Sequence, residues 1–96
     1  MKLDQLFTEN KDEIFFDTGE VHVINNDPEH WEAKIYGVEN QRFFTDAMRN
    51  NTREHLTFET NEGTMYGVAE VDTFDSATDE NVVTLKGTGM LNGYHS

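Results

Sequence analysis

Nineteen carboxylates, four histidines and two serines are the side chains of this 96-residue chain with the reach to do chemistry, and cysteine is absent. Without thiols there are no disulfides, thiolate metal sites or thiol nucleophiles. Ser76 stands in the acidic segment DSATDEN and Ser96 follows His95, with no G-x-S-x-G turn to raise either one. Serine-based acyl transfer is therefore not expected. His22, His30, His55 and His95 form neither H-x-x-x-H nor H-E-x-x-H, the spacings that would put two ligands on one helix face. The run DTFDSATDEN gathers Asp72, Asp75, Asp79, Glu80 and Asn81, but it lacks the alternating ligand spacing and the turn glycine of a calcium loop. GTGMLNG has three glycines and no Lys-Ser/Thr pair to cradle phosphate. General acid–base work needs two carboxylates held in one pocket with separated pKa values, whereas the acids here fall mostly at turns and outward strand positions. No catalytic residue, metal or cofactor is assigned, and a non-enzymatic role is expected.

Charge is the strongest remaining signal. Seven Lys and Arg against nineteen Asp and Glu give a net charge of −12, which repels nucleic acid phosphates and anionic membranes. Positive protein surfaces remain as partners. The stretch from Glu54 to Leu85 holds eight carboxylates and no Lys or Arg. On an extended strand Glu70 and Asp72 share a face, about 6.5 to 7 Å apart, the order of the spacing between successive phosphates. Adding Glu59, Glu62, Asp75, Asp79 and Glu80 gives one expected acidic face. The function this suggests is a small interaction module, an inhibitor or nucleic-acid mimic that occupies a basic protein surface. An alternative is a small-ligand or peptide site using the aromatic rings of Trp31, Tyr36, Tyr66 and Phe74. Another is a homodimer in which the locally positive segment carrying Arg42, Arg49 and Arg53 meets the acidic stretch of a second copy.

Any of these surfaces needs a scaffold, and the length allows one domain over residues 1–96. The opening MKLDQLFTENKDEIFF has neither a basic start nor a signal-type apolar run, and no segment approaches the length of a membrane span; a cytoplasmic protein is expected. Leu3, Leu6 and Phe7 stand at helical spacing, which predicts one or two helical turns over Met1 to Phe7. Ile14 and Phe16 alternate, as do Val21 and Val23, and Asp17-Thr18-Gly19 between them predicts a hairpin. Asp27 as a cap and Pro28 in a first turn would serve as a helix start, but Trp31, Ala33, Ile35 and Gly37 keep a period of two, which favours a strand over Trp31 to Val38. Phe43 with Ala47 and Phe44 with Met48 stand four apart, as in a short helix laid on a sheet.

A second hairpin is expected around NEG, Asn61 to Gly63; the alternation slips on the return strand, so either both faces are partly covered or a bulge lies near Gly67 to Glu70. In the last strand, VVTLKGTGML, Gly87 and Gly89 share a face with Val83 and Leu85 and leave room for a sharp bend or a passing backbone. The predicted class is mainly β: a small antiparallel barrel or curled sheet of five to six strands with one or two short helices. The alternative is an α+β sheet backed by a helix.

Overall fold

The computed structural model describes residues 1–76 and 80–94. In chain order the strands are β1 (Leu3–Thr8), β2 (Glu13–Ile14), β3 (Thr18–Val23), β4 (Trp31–Tyr36), β5 (Arg53–Thr60), β6 (Gly63–Asp75) and β7 (Val82–Gly87), with helix α1 (Gln41–Asn50) between β4 and β5. They form a single antiparallel sheet in the spatial order β2-β1-β5-β6-β7-β4-β3. One bridge, Lys2 with Glu20, ties the two margins at one end, but the sheet is not closed. The class is mainly β, a curled sheet.

The curl follows from one-sided alternation. Trp31, Ala33 and Ile35 of β4, Leu56 and Phe58 of β5, Met65 and Ala69 of β6, and Val83 and Leu85 of β7 are buried on the inner face. The β5–β6 hairpin runs in register from Arg53 opposite Glu70 to Thr60 opposite Gly63. Its turn is Asn61-Glu62, braced by the Thr60 hydroxyl, which donates to the Gly63 carbonyl at 2.8 Å and accepts from the Glu62 N–H at 3.1 Å. The β4 strand begins three residues after Pro28, as its alternation predicts.

Helix α1 forms where the four-residue spacing predicts it. The Asn40 side chain accepts the Phe43 N–H at its start and Asn51 closes it in the left-handed conformation. The helix packs on β6, burying Phe44 and Ala47. Phe43 stacks edge-on against Phe44 with ring centres 5.1 Å apart, while Met48 turns outward.

Four local readings are corrected. The opening segment is strand, because a register shift between Leu3 and Gln5 lets two inward leucines stand three residues apart; this bulge imitates helical spacing. Ile14 and Val21 do not form a hairpin. β2 pairs with β1 and β3 with β4, and residues 15–17 cross from one margin to the other. Gly19 lies inside β3 with no positive φ; a Cβ there would stand 3.0 Å from the Leu3 side chain. The β6 bulge falls later than expected, between Val71 and Thr73.

The last strand stops at Gly87 rather than running to Leu91. The glycines make room for a side chain here, not a backbone: a Cβ on Gly87 would lie 2.3 Å from the Trp31 ring, and one on Gly67 would lie 2.8 Å from it. The indole meets Phe58 edge-on at 5.5 Å and donates its N–H to the Gly89 carbonyl at 2.8 Å. Gly89 itself has open space around it.

Candidate interaction surface

Strand pairing fixes which charges meet on the outer face. His22 lies opposite Glu32, Glu32 opposite Lys86, Lys86 opposite Glu70 and Glu70 opposite Arg53. One row across five strands therefore carries basic and acidic side chains in strict alternation. The next row sets Glu20 beside Lys34. Such exposed neighbours attract weakly, about 0.2 to 1 kcal/mol a pair.

At the β6 bulge the pattern breaks. Asp72 is the extra residue, with no partner of its own on β7, and it is exposed. It shares a hollow of about 290 Å³ with Glu29, Glu32, Lys86 and Ile24, and Ile24 is 50% exposed. Three carboxylates thus share the hollow with Lys86 and with His30, whose ring is paired with Asp27, beside an exposed aliphatic wall. A bulge re-aims a side chain at the cost of ladder regularity, and here the re-aimed side chain is a carboxylate.

The structure divides the acidic residues singled out in the sequence into three places. Glu59 and Glu62 lie at the β5–β6 turn, where Glu59 accepts the Thr64 hydroxyl at 2.8 to 2.9 Å. Glu70 and Asp72 lie on the outer face near Lys86. Asp75 pairs in register with Val82, two residues after Glu80, so both occupy the far end of β6. Twelve residue steps separate Gly63 from Asp75, about 40 Å of strand path, and the molecule is 35 Å along its longest axis. Glu59 and Glu62 therefore stand at one end of this strand, and Asp75 and Glu80 at the other. Asp79 lies outside the described residues. Glu29 and Glu32, which join Asp72, were missed by the sequence reading; only the register and the position of the bulge reveal them.

The four aromatic candidates separate just as clearly. Trp31 is core, Phe74 packs against the core and Tyr36 is half-buried. Tyr66 is 56% exposed and, with Met90, lines an open groove of about 550 Å³ between the β1–β2 turn and residues 89–92. Met90, 53% exposed, carries no signal in the sequence, because its position depends on the loop that follows β7. The three arginines all stand near acids. Arg42 and Arg49 bracket Asp46 at 3.7 and 4.0 Å, and Arg53 faces Glu70 across β5–β6.

His22 pairs with Glu20 at 3.0 Å and His30 with Asp27 at 2.6 Å. The Asp27 carboxylate also accepts the Glu29 N–H at 3.0 Å. That backbone hydrogen bond, then the His30 contact, hold its pKa below the ordinary carboxylate value. Among the described residues no group of three His, Asp or Glu side chains is arranged to hold a metal ion, and no helix is long and apolar enough to cross a membrane. No protein-family model matches the chain, and no match is found among curated proteins.

Proposed function

We propose that this protein is a non-catalytic, acidic interaction module that binds a basic surface of another protein, with the hollow around Asp72 as the centre of contact. The observation that carries this reading is the β6 bulge, which turns Asp72 out beside Glu29 and Glu32 against the exposed side chain of Ile24. The hollow suits a Lys or Arg side chain: methylenes lie on the aliphatic wall and the cationic head lies among the carboxylates. Long-range attraction comes from the net charge of −12, which steers a positive partner toward the molecule and weakens as salt is raised. A basic surface that normally holds nucleic acid would meet the same charge, so occupation by this protein would exclude the nucleic acid.

The test is affinity capture from cell extract with the immobilised protein. Captured proteins are expected to be basic, to be released at about 0.5 M NaCl, where the screening length falls to a few ångströms, and to be lost with the double variant Glu32→Gln/Asp72→Asn. The control Glu59→Gln/Glu62→Gln removes the same number of charges from the turn and should retain them. Equal loss in both variants would reduce the reading to bulk charge, and retention in both would overturn it.

A further inference from the structure

The groove beside Tyr66 is a separate feature from the acidic hollow, and its chemistry differs. It is framed by Tyr66, Val68 and Met90, with Lys11 and His55 also in its lining. In a chain where acids outnumber Lys and Arg by 19 to 7, Glu9 is the single carboxylate among the described residues of this lining. Among the described residues neither Lys11 nor His55 has an ion-pair partner. Lys11 is also held at an unusual backbone position. Among the described residues four non-glycine residues have positive φ; three are Asn25, Asn26 and Asn51, and the fourth is Lys11 at 67°. Asparagine tolerates that conformation, whereas the Cβ of a lysine disfavours it. The turn thus spends stability at the one place that sets a lysine on the lip of the apolar groove. At that lip Lys11 is fixed through its own N–H, which donates to the Thr8 carbonyl at 2.9 Å.

We infer that this groove is a binding site for a small amphiphilic anion, an apolar or aromatic body ending in a carboxylate. The body lies against Tyr66, Val68 and Met90, and the carboxylate meets the Lys11 ammonium and an N–H of the His55 ring. The groove volume of about 550 Å³ falls within the range of small-ligand pockets, about 300 to 1,000 Å³. The net negative charge opposes entry from a distance, but at physiological salt that field is screened within about 8 Å, and the contact charges then decide. The inference does not depend on the basic-partner reading, since it uses a different surface and the opposite ligand charge.

The test is an NMR titration of the folded protein with three probes of one chain length, decanoate, decylammonium and decanol, all below micelle formation. Decanoate should bind most tightly and shift the amides of Lys11, Tyr66 and residues 89–92. Lys11→Gln should weaken decanoate about threefold, the worth of an exposed charge contact, and leave decanol unchanged. Tyr66→Ser should weaken both about tenfold through loss of aromatic contact area. Both side chains are exposed, so the amide spectrum of each free variant should otherwise match the wild type. Decylammonium binding as tightly as decanoate, an unchanged decanoate affinity in Lys11→Gln, shifts centred elsewhere, or no binding by decanoate would each overturn the inference.

Discussion

The outer face of the sheet has two unlike halves. Where β3, β4, β7, the distal part of β6 and the first residue of β5 run together, neighbours across the strands alternate in sign from His22 through Glu32, Lys86 and Glu70 to Arg53. Where β1, β5 and the start of β6 meet, the outward row is Phe7, Thr57 and Tyr66, followed on β6 by Val68. The first half sets basic and acidic side chains opposite one another along this row, and at the Asp72 hollow the carboxylates outnumber the lysine. The second leaves apolar surface in water with no packing reason for it, and such exposed patches mark contact sites. Solubility and strand propensity account for a charged ladder; they do not account for Tyr66 and Met90 both standing more than half exposed.

Beneath both halves lies one indole, and the largest expected effect comes from it. Trp31 sits under Gly87 on the charged side and under Gly67 on the aromatic side. Gly87→Ala would drive a methyl into the ring, and overpacking of this kind costs about 1 to 3 kcal/mol; a lower denaturation midpoint in urea checks it. The variant should disturb the groove and the hollow together, which a change on either outer surface should not.

The charged half can then be broken by itself. Lys86→Glu sets three carboxylates side by side on β4, β7 and β6, and should destabilise by about 1 kcal/mol, a loss that shrinks as salt is added. On the aromatic half, Tyr66→Ser should change stability by less than about 0.5 kcal/mol, because the ring is not part of the core. A large loss there would make Tyr66 structural and remove the contrast between the halves.

The smallest effect concerns Asp27, beside the charged half. Its folded-state pKa lies below the ordinary value of 3.8, so its contribution is in place above that pH and is lost as pH falls through the lower folded value. Asp27→Asn should therefore flatten the acid limb of the stability–pH curve below about pH 4 and leave the neutral limb's shape unchanged. Thermal midpoints measured across that range check it.

What the chain reveals before folding, and what it withholds, follows the distance over which each signal acts. The period of two in Trp31-Glu32-Ala33-Lys34-Ile35, the four-residue spacing of Phe43 and Ala47, and the turn at Asn61-Glu62 are local, and each specifies its element. The bulges after Leu3 and at Asp72 depend on the strand alongside, so a spacing of three in Leu3 and Leu6 looks helical when read alone. The crossing of residues 15–17 is likewise invisible until both margins exist, since the alternation on either side of Gly19 is equally compatible with a hairpin. The same applies to the surfaces. Asp72 and Tyr66 were legible as outward residues, but Glu29, Glu32, Lys11 and Met90 join them only through register and loop path.

The most direct measurement of the proposed role is the affinity of a short lysine–leucine peptide for the wild type and for Glu32→Gln/Asp72→Asn, at low and at physiological salt. Wild-type binding should weaken as salt rises, and the double variant should bind about tenfold more weakly than wild type at either salt. Equal affinity of the two proteins would contradict a partner site at the hollow.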